Sequence, residues 1–123
     1  MLRVESLEEA EAAEKAGIDM STPPALLTPE FREVVPTCFV FAGLEHGVHI
    51  TEEDYLRGAF AALKASGDAV WCAARLRTIH RLREEGVPVC GHVGLIPPKC
   101  KARHQVKIPK AELDKSLREI EGN

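Results

Sequence analysis

Short apolar segments alternate with amphipathic helical segments along this 123-residue chain, and a glycine stands at three of the helix-to-strand joins. These glycines are Gly17, Gly67 and Gly86. A glycine just beyond the last helical residue is a common helix stop, because glycine adopts the left-handed backbone conformation without strain. Repeated alternation of helix and strand predicts a parallel sheet whose strands are joined by right-handed helical crossovers.

Four apolar segments have the length and residue types of strands, at 18–21, 37–42, 68–73 and 87–90. The helices between them begin at polar caps. Ser6 is followed three residues later by Glu9, the pattern of a capping box. Thr28 precedes a proline, and Thr51 opens the clearest amphipathic helix. A last, charged helix is predicted at 110–120.

A complete (β/α)₈ barrel needs about 250 residues, so this chain supplies about half of one. We therefore predict an α/β protein of parallel (β/α) units, a partial TIM barrel of about four strands, with an open doubly wound sheet as the alternative. Residues 1–98 would form the barrel domain, and residues 99–123 a basic segment plus a helix without a domain of their own. Unpaired edge strands favour a homo-oligomer, unless the chain is a fragment of a longer product.

The composition of the chain excludes some classes of binding partner. The net charge of −3 and the low aromatic content argue against nucleic-acid binding, which needs a basic face and stacking rings. No stretch approaches the length of a membrane span, and the acidic start is unlike a secretory signal, so we expect a cytoplasmic protein. The four cysteines form no Cys-x-x-Cys pair and are interpreted as reduced, mostly buried side chains.

Ligands of parallel α/β folds meet the carboxyl ends of the strands. Ser21 and Gly43 fall at such ends. The loop after the second strand carries Glu45, His46 and His49, which could bind a divalent cation or act as acid and base. The alternative is an ordinary solvated loop.

His92 follows the fourth strand directly, after Gly91 and two residues before Gly94. Glycine lets backbone approach a ligand closely, so His92 is a candidate site residue, with a structural histidine in a turn as the alternative. The basic run 99–110 could hold an anionic substrate or be a solvated tail.

The stretch 85–97 reads Glu-Gly-Val-Pro-Val-Cys-Gly-His-Val-Gly-Leu-Ile-Pro. It resembles the Gly-His-x-Gly-Leu-x-Pro signature of ketopantoate hydroxymethyltransferase (3-methyl-2-oxobutanoate hydroxymethyltransferase), and a weaker likeness covers roughly residues 5–98. The resemblance implies a barrel of the phosphoenolpyruvate mutase and isocitrate lyase type. It implies hydroxymethyl transfer from methylenetetrahydrofolate to a small 2-keto acid, for pantothenate biosynthesis, with magnesium chelating the keto acid.

The acidic residues that hold the metal in that family are replaced here, by Gly43 on one strand and by Trp71 and Ala73 on the next. We therefore expect a relocated site. Its predicted catalytic residues are His92, Glu45 and His46, its substrate contacts Ser21, Gly43 and Gly91, and its metal candidates Glu45, His46 and His49. Two other functions stay open: an enzyme of the same barrel class acting on another keto acid or carboxylate, and a non-catalytic fragment.

Overall fold

The computed structural model describes residues 1–94 and 110–121. The signature residues Leu95 and Pro97 and the basic run 99–109 lie outside the described residues. The strands are β1 (Leu2–Arg3), β2 (Met20–Thr22), β3 (Phe39–Leu44), β4 (Ala69–Cys72) and β5 (Val89–Gly91). The helices are α1 (Leu7–Lys15), α2 (Thr28–Val34, after a 3₁₀ turn at Ala25–Leu27), α3 (Glu52–Lys64), α4 (Leu76–Glu84) and α5 (Lys110–Ile120).

The five strands form one parallel sheet in the order β1-β2-β3-β4-β5, which confirms the predicted parallel α/β architecture. This order never reverses direction, whereas a doubly wound sheet has a reversal at its switch point. The winding therefore favours the partial barrel. Strand β1 was not predicted, because a strand of two residues is too short to show periodicity.

The two faces of the sheet differ in what covers them. Side chains alternate along a strand, so Val40, Ala42 and Leu44 of β3 share a face with Val70 and Cys72 of β4. These residues are buried against α1 to α4. The opposite face carries Met20, Phe39, Phe41, Gly43, Trp71 and Cys90. We call it the inner face, because it would line the interior of a closed barrel.

The helix ends follow the local sequence closely. Asp54 N–H donates to Thr51 Oγ1, and Asp54 Oδ2 accepts from Thr51 N–H at 2.9 Å, a complete capping box. At α1 the Ser6 cap forms, but Glu9 accepts from Glu5 N–H at 2.7 Å instead of closing the box on Ser6. None of the described helices combines the length and apolarity needed to cross a lipid bilayer.

Two of the three predicted glycine stops are left-handed, Gly17 with φ 74° and Gly86 with φ 80°. At the third join the left-handed residue is Ser66, also with φ 74°, and Gly67 has another role. A Cβ on Gly67 would lie 2.9 Å from Ala62 O, so a side chain there would collide with the end of α3. Gly67 is needed for close approach of backbone, not for its handedness.

Arg32 on α2 connects the helix layer to the start of β3 and β4. Its guanidinium donates to Val35 O at 3.2 Å and to Cys38 O at 2.8 Å. It also pairs with Asp68 Oδ2 at 2.6 Å, and that carboxylate accepts from Val40 N–H at 2.8 Å. These bonds hold the amino ends of the two central strands together, and so set the level at which their carboxyl ends stop.

Candidate functional site at the carboxyl edge of the sheet

Glu45 and His92 stand at the same level of the sheet, on the inner face. Leu44 pairs with Cys72, and Cys72 pairs with Gly91. The next residue of each strand is therefore Glu45, Ala73 and His92, in that lateral order. The hydrogen bond from His92 N–H to Cys72 O, at 2.9 Å, continues the parallel ladder beyond β5. At this level Ala73 is the residue between Glu45 and His92, and its side chain is only a methyl group.

The Glu45 carboxylate pairs with the Arg3 guanidinium, which reaches over β2 from β1. Arg3 also donates from Nε to Glu5 Oε1 at 2.7 Å. Partial burial acts to lower the pKa of Arg3, but the hydrogen bonds to Glu5 and Glu45 outweigh it, and the pKa is raised. Arg3 is thus a permanent cation at the inner rim. Arg3 was not predicted as a site residue, because it lies on β1, the strand that the sequence pattern did not indicate.

Gly43 lies beside this ion pair, at the mouth where it was predicted. A Cβ on Gly43 would be 3.1 Å from Pro23 O and 3.6 Å from both Arg3 Nη1 and Glu45 Oε1. Because Gly43 has no side chain, the Arg3–Glu45 ion pair has room to form beside it. Thr22, which pairs in register with Arg3, has a buried hydroxyl without a hydrogen-bond partner among the described residues.

His92 is half-buried, and its ring contacts Trp71 of β4, with ring centroids 5.4 Å apart. Cys90 precedes it by two residues on the same face, and burial raises the pKa of the Cys90 thiol. The thiol is therefore protonated at neutral pH and is a poor nucleophile. Of the polar groups that end β4 and β5 on this face, the imidazole is the one suited to proton transfer.

His46 and His49 do not join Glu45 around a common point. His49 Nδ1 lies 3.2 Å from Glu45 O, and its ring packs at a tilt against Tyr55 of α3, with ring centroids 5.6 Å apart. Its Nε2 atom lies over Gly58, where a Cβ would be only 2.5 Å away. His49 thus holds the loop against α3. His46 is exposed on the same loop.

The described residues do not fit the predicted magnesium ion. They contain no group of three or more histidine, cysteine or carboxylate side chains that could hold a metal. Magnesium takes about six oxygen ligands in octahedral geometry, usually with a carboxylate among them. Gly43, Trp71 and Ala73 supply no side-chain oxygen, and the nearby Glu45 carboxylate is already paired with Arg3.

Two predicted substrate contacts face the helix layer instead of the inner rim. Ser21 pairs in register with buried Val40; its side chain is fully buried, with Oγ 3.0 Å from Cys38 Sγ. A Cβ on Gly91 would lie 2.9 Å from Ile79 Cδ1 of α4. Gly91 therefore lacks a side chain for packing reasons. Both residues lie near strand ends, but the two-residue period of a strand places the Ser21 side chain and the Cβ position of Gly91 on the face opposite to Glu45 and His92.

A separate cleft of about 690 Å³ opens on the helix side of the same edge, between the first turns of α3 and α4. Its lining includes His46, Glu52, Tyr55, Arg75, Arg77 and Thr78. Of the residues that line it, His46 and His49 were predicted from the sequence as candidate site residues. The others are spread over two helix starts, and no local pattern marks them as neighbours.

The fold and the residues at the carboxyl edge of the sheet define the class of protein: it is an all-parallel (β/α) protein with polar side chains where the strands end. Among curated proteins, the chain is similar to 3-methyl-2-oxobutanoate hydroxymethyltransferase of Escherichia fergusonii, with 33% identity over 73 residues. The enzymes of Escherichia coli O1:K1 and Shigella boydii serotype 18 are 32% identical over 76 residues.

Each of these matches covers 57% of this chain and 28% of the relative. The chain thus matches little more than a quarter of the length of these curated relatives. No protein-family model matches the chain. The similarity suggests the hydroxymethyltransferase family and leaves the activity to be established.

Proposed function

We propose that this chain is a divergent, partial relative of ketopantoate hydroxymethyltransferase that acts on a small 2-keto acid at the inner rim. Two findings support the proposal. One is the similarity to the hydroxymethyltransferases over 57% of the chain. The other, which carries it, is the level alignment of Glu45 and His92 across Ala73 at the carboxyl edge. In (β/α) barrels this edge is where the chemistry takes place.

The proposed reaction joins a one-carbon unit to the carbon next to the keto group. The C3–H bond of 3-methyl-2-oxobutanoate breaks and a C3–CH₂OH bond forms. The methylene carbon comes from methylenetetrahydrofolate, water supplies the hydroxyl oxygen, and tetrahydrofolate is released. The first requirement is a base within reach of the C3 proton.

Glu45 and His92 are the proposed proton-transfer groups. Their strands are separated by two inter-strand spacings, about 10 Å between backbones, and both side chains project from the inner face. A keto acid held between them would meet a carboxylate on one side and an imidazole on the other. Whichever group takes the C3 proton, the other can donate to the developing enolate oxygen.

Arg3 is the proposed carboxylate-binding residue. Guanidinium groups bind carboxylates through two parallel hydrogen bonds, and Arg3 already binds one in Glu45. A substrate carboxylate that replaced Glu45 on Arg3 would release Glu45 to accept a proton. Substrate binding and activation of the base would then be one event.

Exchange of the C3 proton in D₂O tests this proposal without the folate. The chain is incubated with 3-methyl-2-oxobutanoate, and loss of the C3–H signal is followed by NMR. We expect exchange above the buffer rate, and a loss of about 10²-fold or more in Glu45→Gln and in His92→Gln, the usual size of general acid–base catalysis. Because the described residues do not fit magnesium, a chelator should leave the rate unchanged. Ketopantoate formation with methylenetetrahydrofolate then tests the complete reaction.

His80→Gln is the matched control, since His80 lies on α4, which packs against the face of the sheet opposite to the inner rim. It should exchange at the wild-type rate. Wild-type exchange no faster than that of the two inner-rim variants would disprove the proposal.

A second candidate function is suggested by the replacement of oxygen-bearing side chains at Gly43, Trp71 and Ala73. An altered rim favours an altered substrate within the same class of small keto acids and carboxylates. The same exchange assay, run over a set of 2-keto acids of increasing side-chain size, separates the two candidates. Faster exchange of another acid, lost in His92→Gln, would identify it.

A further inference from the structure

We propose that His49 is a positioning residue, which fixes Glu45 at the inner rim through a hydrogen bond from its Nδ1–H group to the main-chain carbonyl of Glu45. The His49 ring lies against α3, which covers the face of the sheet opposite to the inner face. It therefore acts through Glu45 and not on a substrate. The catalytic consequence rests on the proposed function of Glu45 in proton transfer, whereas the placement of Glu45 does not.

The turn that follows β3 closes on the carbonyl of Glu45. This oxygen accepts from His49 N–H at 3.0 Å and lies 3.2 Å from His49 Nδ1. A carbonyl oxygen can only accept, so the second bond requires the proton of the neutral ring to be on Nδ1. Gly47, with φ 99°, lets the chain reverse between the two residues. The main chain of Glu45 is thus held by two donors of one residue.

Gly58 of α3 leaves a notch that receives side chains from both flanks of this turn. A Cβ on Gly58 would lie 2.5 Å from His49 Nε2 and 3.2 Å from Leu44 Cδ2. Leu44 comes directly before Glu45 and is buried, and the His49 ring also packs against Tyr55. Packing of this kind restricts the ring to few rotamers, so its donor stays aimed at the carbonyl.

The end of the loop is held as well. Asp54 Oδ2 accepts from Ile50 N–H at 3.1 Å and from Thr51 N–H at 2.9 Å. The Glu45 side chain is different, because it is 38% exposed and its carboxylate pairs with Arg3 at the surface. A fixed main chain with an exchangeable carboxylate suits the proposed reaction. When a substrate displaces Glu45 from Arg3, the base must stay within reach of the C3 proton.

The tautomer of His49 tests the hydrogen bond without any substrate. Long-range ¹H–¹⁵N NMR spectra identify the protonated nitrogen of each imidazole at about pH 9, where histidine rings are neutral. We expect the proton of His49 on Nδ1. A proton on Nε2 would overturn the proposal, because Nδ1 would then have nothing to donate to Glu45 O.

Three substitutions separate the hydrogen bond from the packing. His49→Asn keeps a donor near the place of Nδ1–H, His49→Phe keeps a ring without a donor, and His49→Ala removes both. The guanidinium signals of Arg3 report where the Glu45 carboxylate lies, because the two side chains are paired. We expect these signals to move towards their Glu45→Gln positions in His49→Phe and His49→Ala, and to stay near the wild-type positions in His49→Asn.

The C3-exchange assay gives the catalytic readout. We expect kcat to fall about tenfold in His49→Phe and His49→Ala, with KM changed less than about twofold, because a misplaced base loses rate while Arg3 still binds the keto acid. His49→Asn should keep at least about a third of the wild-type kcat. Leu82→Val, in the buried core on α4, controls for lost stability and should leave kcat and KM unchanged.

The spectroscopic and kinetic results separate this proposal from the proposed function. Unchanged Arg3 signals in both His49→Phe and His49→Ala would overturn the proposal, as would an equal loss of kcat in Leu82→Val. If the wild type exchanges no C3 proton, the proposed function fails. The tautomer and the Arg3 signals then still decide whether His49 positions Glu45.

Discussion

Arg3 and Glu45 form an ion pair that joins the end of β1 to the residue directly after β3, across the intervening strand β2. The partners are 42 residues apart in the chain. The pair places a fixed cation at the inner rim, beside Gly43 and on the same face as His92.

We expect Glu45→Gln to destabilise the fold by less than about 1 kcal/mol, because both side chains are more than a third exposed and water screens the pair. A double-mutant cycle with Arg3→Gln, measured by urea unfolding, should give a coupling of about 0.5 kcal/mol that falls as salt is added. The exposed Glu53–Arg57 pair on α3 is the control. A salt-independent coupling of several kcal/mol would show that the pair is shielded from water and that substrate could not displace it.

Arg32→Lys should lower the free energy of unfolding more than any substitution at Arg3. The Arg32 guanidinium contacts three backbone carbonyls and the Asp68 carboxylate, and its side chain is 21% exposed. Lysine has no planar group that can reach these acceptors together. We expect a loss of about 2 to 4 kcal/mol in the free energy of unfolding, against less than about 0.5 kcal/mol for Arg57→Lys. Equal effects of the two substitutions would contradict the network.

The effect of Gly58→Ala on the free energy of unfolding should change sign with the residue at position 49. Alanine in a helix interior is usually more stable than glycine by about 1 kcal/mol. Here its Cβ would lie 2.5 Å from His49 Nε2, and the ring is held by Glu45 O and Tyr55. We expect Gly58→Ala to destabilise the wild type and to stabilise the His49→Ala variant, in chemical unfolding at neutral pH. Stabilisation in both backgrounds would mean that the ring moves aside freely.

The Asp54 carboxyl should make the free energy of unfolding depend on pH in the acid range. Hydrogen bonds from the backbone of Thr51 and Ile50 hold the pKa of this carboxyl below its usual range. Its folded-state pKa is therefore lower than its unfolded-state pKa, so its contribution is present above about pH 4 and is lost as the pH falls through the folded-state pKa. The stability difference between wild type and Asp54→Ala should accordingly shrink on acidification below about pH 4.

Urea midpoints taken in steps from about pH 6 downward measure this difference. Glu53→Ala removes a neighbouring carboxylate that is paired with Arg57 at the surface, and serves as the control. Parallel curves for wild type and Asp54→Ala at every pH would contradict the assignment.

We expect the chain to self-associate through the inner face. Met20 and Phe39 pair in register and are 42% and 43% exposed, which leaves an uncharged apolar patch on this face. Such a patch is complementary to itself, so the expected partner is a second copy of the chain. Phe39→Lys should shift sedimentation towards the monomer, while Leu26→Lys, at a residue 81% exposed outside the inner face, should not. A wild-type monomer at all concentrations would contradict it.

Much of the fold was predictable from the sequence, because local patterns encode it. The apolar segments predicted four of the strands to within a few residues, and the cap at Thr51 placed its helix correctly. Thr28, which was predicted as a cap, is itself helical, with φ −56° and ψ −42°, and is the first residue of α2. Gly17 and Gly86 end helices as expected, since no residue adopts a left-handed backbone more easily. The parallel arrangement followed from the alternation itself.

The placement of site residues at strand ends was also predictable, but not the direction of their side chains. A shift of one residue turns a side chain to the opposite face of a sheet, and this separates Ser21 and Gly91 from Glu45 and His92. Register is decided by pairing between strands and by packing against helices, as Gly91 shows against Ile79.

The sequence by itself determined the helices and four of the five strands, because hydrogen bonding and apolar periodicity act over a few neighbouring residues. The tertiary structure alone decided that Arg3 meets Glu45, that Arg32 binds Asp68, and that α3 and α4 enclose a cleft. These contacts join residues that are distant in the chain, and they arise only when burial of the apolar faces fixes the register of the whole sheet.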